Sequence, residues 1–555
     1  MTLRSWIEKL VNPLSRRPRG AHRPAPRPQR WANLRLEYLE DRLAPATITV
    51  MNNSDGVAPG PAGSLRNAIN TSANGDAIIF TPSLAGQTIT LTSGSLGIVH
   101  NLTILGLGAN LLAVSGNHNI EVFIVNPGTT VQMTGLTIEN GNIPAPFTGG
   151  GGILNAGTLT LTACTISGNT ATGQAGADGE GGGGGGAGIG GGICNYGGTL
   201  TMQSCTVSGN VATGGKGGNG NANGSGGNGG GGTGGAGSVV NSGTPGKPGG
   251  YWGGGGGGSY TLGGNGTAGG AGGRFAGGGG GGDPGAAPGG LANYSGKGGD
   301  GDAGPLAGGG GGGGSGLGGG LFNRKNGTVT ITNCTFSGNI AQGGNGGNAG
   351  GGTAVGGNAG SGLGAGIWNS GTMTITSSTI AANTALPSSG GSGGGKNQQG
   401  FTGGVANDIF ATSPVRVDSS IIAKNTDTGG APDVLNSFTD VGYNLIGNTS
   451  GSLGGIFGFT ALTTITGADP LLNALGNYGG PTQTMSLRFN SPALNNGDPA
   501  NGVTIDERGA VRGASTGPGS MANAGTMPDI GAWEASSLNI VTANFIGGLV
   551  GDSSN

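Results

Sequence analysis

Four cysteines, three histidines and a scatter of carboxylates are the residues here whose types could do chemistry. Zinc binding needs clustered thiolates or imidazoles at close spacing, and no Cys-x-x-Cys pair occurs. Cys164, Cys205 and Cys334 instead fall at one position of a repeated segment, and Cys194 stands near the opening of another copy. Each of the three shares the parity of the apolar residue two places on, so all should point inward as small hydrophobes, free rather than disulfide-bonded. His22, His100 and His118 are scattered, nothing marks a Ser/His/Asp arrangement, and the two later ones read as solvated loop residues. The residues imply no catalytic group, metal or cofactor.

Carboxylates carry the main rival reading. Asp408, Asp418, Asp427 and Asp433 lie close together in sequence, and a polysaccharide lyase or hydrolase needs acidic groups converging on one face, for calcium or for acid–base work. Solvated corner positions account for them more simply. Lys297-Gly-Gly-Asp300-Gly-Asp302 has a calcium-repeat flavour, but the nonapeptide pattern is not matched. Asp506, Glu507, Arg508, Arg512, Asp529 and Glu534 form the densest charge cluster. They are expected to pair and to close the C-terminal end of the fold against further strand pairing.

Threonine is the other recurrent polar residue. Thr158, Thr160 and Thr162, Thr199 and Thr201, Thr328, Thr330 and Thr332, and Thr372, Thr374 and Thr376 alternate with Leu159, Leu161, Leu200, Met202, Val329, Ile331, Met373 and Ile375. Period two with one aliphatic side marks strands that bury a single face. The outward Thr would then make a flat, uncharged hydroxyl lattice.

These strands belong to four near-copies of about 22 residues, opening at Gly150, Gly190, Gly318 and Gly364. A unit so short has no core of its own and must stack on its neighbours. A second short strand follows (Cys164-Thr-Ile166, Cys205-Thr-Val207, Cys334-Thr-Phe336, Ser378-Thr-Ile380), then a corner at Asn169, Asn210, Asn339 and Asn383. Strand, corner, strand without a helix predicts an all-β fold: a single-stranded right-handed parallel β-helix, or solenoid, in which like residues form ladders.

Residues 46–149 give less regular opening coils, with a helix-like patch at Ser64–Asn70 as an N-terminal cap. Regular coils fill 150–430, and 431–536 hold the last coils with a distinct end module, before a tail at 537–555. Glycine accounts for 140 of 555 residues. It concentrates at about 172–189, 213–317, 342–363 and 388–400, all entering at one register, so the blocks should project from one edge. Their partly triplet spacing fits the three-residue period of polyproline II. The entropy lost on ordering glycine favours a flexible linker instead.

Residues 1–45 are rich in Arg and Pro and read as a disordered or targeting segment. With a net charge of -2 and 9% charged residues, the chain is not built for nucleic acid. It has no apolar run of roughly 18 residues to span a membrane as a helix.

Several motifs resemble known families. The Gly-Gly-Gly-Ile/Leu openings and Phe336-Ser-Gly-Asn339 resemble the repeats of polymorphic outer membrane proteins, although only one copy has Phe. Asp506-Glu-Arg-Gly509, Arg512 and Asp529-Ile-Gly-Ala-Trp533-Glu534 resemble a choice-of-anchor Q domain. Leu34-Arg-Leu-Glu-Tyr-Leu-Glu-Asp-Arg42 is similar to an N-terminal element of planctomycete extracellular proteins, and the glycine blocks resemble the PGRS-type segments of mycobacterial surface proteins. These resemblances imply a secreted or cell-surface protein without catalytic residues, adhesin-like or structural, whose candidate partners are surface glycans or other surface proteins. The Thr lattice resembles that of ice-binding solenoids and could also lie against polysaccharide.

Overall fold

In the computed structural model, which describes residues 45–143, 149–221, 224–231, 233–262, 265–283, 287–291, 294–302, 307–453, 458–513 and 527–535, the alternation of aliphatic and Thr residues becomes a stack of parallel strands. The basic N-terminal segment and the C-terminal tail lie outside the described residues.

One regular coil shows the path. It runs from Ile153–Asn155 to Thr158–Thr162, Thr165–Ser167 and Thr170–Thr172, then through a glycine block to Gly188–Ile189 and into the next coil at Ile193–Asn195. Each segment pairs in parallel with its counterpart one coil on, Leu159 opposite Leu200 and Leu161 opposite Met202. The same register continues to Val329 and Ile331 and then to Met373 and Ile375. The chain is thus a single-stranded parallel β-helix, with two ten-stranded sheets, one of eight strands, one of five and one of three. All eight aliphatic residues are at most 1% exposed, because each sheet turns that parity into the tube.

The corners repeat as well. Gly168, Gly209 and Gly338 take φ of 64°, 63° and 69°, and Ala382 and Lys424 continue the column at 59°. Only a left-handed residue closes this turn, which is why glycine leads there. At the N-terminal end the helix Leu65–Thr71 is capped by Ser64, whose Oγ accepts from Asn67 N at 3.2 Å. Arg66 on this helix pairs with Asp55 at 2.6 Å, both nearly buried.

The glycine blocks depart from the flexible-linker expectation: they are packed rods. Gly181, Gly182 and Gly183 donate to Gly258, Gly309 and Ala177, and Gly184, Gly185 and Gly186 donate to Gly255, Gly312 and Gln174, at 2.8–3.0 Å. Every third amide returns to the same neighbouring rod, the three-residue period of a polyproline II-type helix with all its hydrogen bonds made sideways. Such close approach leaves no room for a side chain. A Cβ on Gly311 would come within 2.6 Å of the Gly183 carbonyl carbon and 2.9 Å of Gly182 O. The entropic cost of ordering glycine is offset by these lateral bonds, which satisfy amides that would otherwise be buried and unpaired.

The triplet's non-glycine member has a role at the surface of the bundle. Asn219 Oδ1 accepts from Asn348 N at 3.1 Å, Asn348 Oδ1 from Ser392 N at 2.9 Å, and Asn345 Oδ1 from Ser389 N at 3.0 Å. A side-chain carbonyl stands in where an outer amide faces no further rod. The bundle is fastened to the eight-stranded sheet by aromatic packing, with Trp252 stacked on Phe275 at 5.3 Å and Phe275 edge-on to Trp368 at 5.7 Å.

Candidate functional site

Buried polar ladders hold the coils in register. Asn169 Nδ2 donates to Asn210 Oδ1 at 2.9 Å, Asn210 to Asn339 at 2.9 Å, and Asn339 to Asn383 at 2.8 Å. Asn383 continues to Asn425, and Asn425 to the Asp433 carboxylate, each at 2.9 Å. The ladder is fully buried from Asn169 to Asn383, and each amide also caps a backbone carbonyl of the preceding coil, as Asn210 does for Ile166 at 2.9 Å. A second ladder, not expected from the sequence, runs through Asn155, Asn195, Asn323, Asn369 and Asn407 at 2.7–2.8 Å. Its signal was present in the Asn that ends every Gly-Gly-Gly-Ile opening.

Cys164, Cys205, Cys334 and Cys194 are buried free thiols. The first three do more than fill space. Cys205 Sγ accepts from Cys164 N and Cys334 Sγ from Cys205 N, both at 3.4 Å, and each thiol faces the carbonyl two residues back. Ser378 takes the next rung with the same pair of contacts, at 3.1 and 2.8 Å, so the position selects a small donor–acceptor. Burial pushes the Cys205 thiol well up, and its neighbour Cys205 followed by burial does the same to Cys164. Such thiols are poor nucleophiles. Cys194 faces away from the tube, buried with Phe322 and Trp368 beneath the glycine bundle.

The Thr columns face outward on the first ten-stranded sheet. Thr158, Thr199, Thr328 and Thr372 are exposed and mutually in register, as are Thr160, Thr201, Thr330 and Thr374, which are half-buried or exposed. Thr162, Thr332 and Thr376 complete the third column, with Gln203 in the rung between the first two. The lattice ends where Arg416 and Asp418 replace Thr374 and Thr376.

The structure does not gather the four candidate aspartates. Asp408 pairs with Arg274 and accepts from Ser370 Oγ at 2.9 Å. Asp427 accepts three backbone amides at 2.9–3.1 Å, including Thr402 and Ala431, as a loop brace. Asp433 ends the Asn ladder, and burial raises it to about 6 against the pull of Asn425. Asp418 is also raised by burial. Among the described residues no group of three His, Cys, Asp or Glu could hold a metal ion.

The charged end module is placed differently from expectation. It lies along the flank of the stack, over the outward face of the second ten-stranded sheet, and does not close the C-terminal end. Arg512 reaches Asn333 Oδ1 at 2.9 Å, Gly531 N reaches Ser419 O at 2.8 Å, and Ala532 N reaches Thr379 Oγ1 at 3.0 Å. Its centre is Glu507, 1% exposed, whose carboxyl accepts from Thr335 at 2.5 Å, Thr206 at 3.2 Å and Thr482 at 3.3 Å. Burial raises Glu507 to about 8, and those hydroxyls, with Thr484, only partly oppose it. Around it Asp506 binds Arg508 at 2.6 Å, and Arg508 lies 4.7 Å over Trp533. Glu534, 3.6 Å from Arg512, and Asp529 are both raised by burial. These groups join module to coil. The Thr hydroxyls that receive it looked like ordinary strand residues in sequence.

No family model, curated protein or solved structure matches the chain.

Proposed function

We propose that the protein is a non-catalytic rod secreted to, or displayed on, the cell surface, with an adhesin-like or extracellular structural role. One observation carries the reading: the broad outward face of the regular coils is an uncharged Thr lattice, while the carboxylates are spent on joining segments. A lyase or hydrolase needs open acidic groups on such a face. The resemblance of the coils to polymorphic outer membrane protein repeats, of the end module in 431–536 to a choice-of-anchor Q domain and of residues 34–45 to an extracellular targeting element supports the location. So does a rigid body whose contacts are repeated and internal, which suits a spacer or display scaffold.

A second reading rests on the register of the Thr columns. Hydroxyls repeating every coil, about 4.8 Å apart, match an ordered polymer or ice surface, and Thr201→Lys with Thr330→Lys should abolish such binding without unfolding the stack. The primary test is localisation of the chain with and without residues 1–45, together with glycan-array and cell-binding assays on residues 46–555. Surface retention and glycan or cell binding without sugar release is expected. Release of reducing ends, or retention in the cytoplasm, overturns the proposal.

A further inference from the structure

The residue after each Asn of the second ladder is not repeated: Ala156, Tyr196, Arg324, Ser370 and Asp408 occupy equivalent rungs. At this register two rungs place an aromatic ring next to a cation, with the Arg324 guanidinium carbon 3.9 Å above the Tyr196 ring. Lys325 and Asn326 extend the same turn.

The glycine bundle completes the site. Tyr251, far away in sequence, hangs over this turn and encloses a cleft of about 380 Å³ lined by Tyr196, Gly197, Tyr251, Arg324, Lys325 and Asn326. Its ring is fixed edge-on against Trp252 at 4.5 Å, and its hydroxyl accepts from Arg274 at 3.0 Å. Tyr196 and Tyr251 remain 37% and 42% exposed.

Charge marks the cleft because its two cations are neighbours in sequence. Arg66, Arg274, Arg508 and Arg512 each pair with a carboxylate. Arg324 and Lys325 form no ion pair among the described residues. Two adjacent cations without a counter-charge, in a chain of net charge -2, call for an anion from outside. The guanidinium carbon sits 3.9 Å from the ring centroid, and arginine carries the planar N–H fork that fits a carboxylate.

We propose that this cleft binds an acidic polysaccharide, a polymer of uronic acid residues. Sugar faces lie on the exposed Tyr251 ring, and the carboxylates meet Arg324 and Lys325. A polymer fits better than a small anion because the cleft is open and a further exposed ring, Phe410 at 61%, follows two coils on, with the Asp408-paired Arg274 4.5 Å over it. This inference rests on the extracellular, non-catalytic reading and names its partner's chemistry.

The test uses the full chain with polygalacturonate, its neutral methyl ester and dextran, followed by calorimetry and affinity electrophoresis. Polygalacturonate should bind, and binding should weaken with added salt. Arg324→Glu with Lys325→Glu should weaken it by about tenfold or more, Tyr251→Ala should weaken it several-fold, and Lys396→Glu elsewhere on the surface should leave it unchanged. Amide exchange of the Thr158–Thr162 strand, equal in all variants, shows that the fold is kept. Equal binding of the methyl ester, an unaffected charge-reversal variant, or retention of proteins in place of the polymer each overturns the inference. Polymer left intact but unbound defeats this inference alone, whereas polymer shortened by the protein defeats the non-catalytic reading.

Discussion

Glu507 sets up a stability change with a sign opposite to the usual acid denaturation. Its carboxyl is buried between module and coil and raised to about 8 from an ordinary 4.5, so the folded state holds the proton that the unfolded state releases. Between those two values the native state binds more protons than the unfolded one, and stability falls as pH rises. The loss begins above about 4.5 and levels off above about 8. At about 1.4 kcal/mol per unit the full span is about 5 kcal/mol, and from pH 5 to 8 it is about 3.5 kcal/mol. Glu507→Gln keeps the shape and removes the proton. The assay is amide exchange of residues 527–535, whose Ile530 and Gly531 amides bond to Ala493 and Ser419, at pH 5 and pH 8 after correction for intrinsic rates. Relative to the parent chain, Glu507→Gln should gain about 400-fold in protection between the two pH values. Equal changes in protection for both chains would show that Glu507 is ionised in place, and the reasoning about its burial would be wrong.

Other perturbations separate the structural roles. Gly311→Ala drives a methyl into the backbone of a neighbouring rod and should cost about 3 kcal/mol in urea unfolding. Gly224→Ala meets nothing within 4 Å and should be neutral or slightly stabilising; identical behaviour of the two would mean the rods are not packed. Asn210→Ala strands the Asn169 amide groups and the Ile166 carbonyl, at roughly 3 kcal/mol, seen as a lowered urea midpoint. All four cysteines should resist a thiol reagent in the native chain and react in urea, and labelling of any one under native conditions would contradict its burial.

Much of the coil was legible because its geometry repeats. The parity of Leu159 and Leu161, the Asn169 corner and the outward Thr columns all follow from a period-two strand facing one core. The flank was not legible. The entropy of an isolated glycine chain argues for disorder, whereas the order of these blocks comes from lateral hydrogen bonds between segments such as 181–186 and 308–314. The placement of Glu507 was hidden for a related reason: its partners Thr206 and Thr335 are outward strand threonines like any others, and only the docked module distinguishes them. Tyr251 and Arg324 meet only because the bundle folds back across the coils.

The most direct test is hydrogen exchange of the glycine amides in 181–186 and 309–314 of the full chain. Packed rods predict protection comparable to that of the Thr158–Thr162 strand, lost in the same unfolding transition. Exchange at the rate of an unstructured chain, with the strand still protected, would contradict the account.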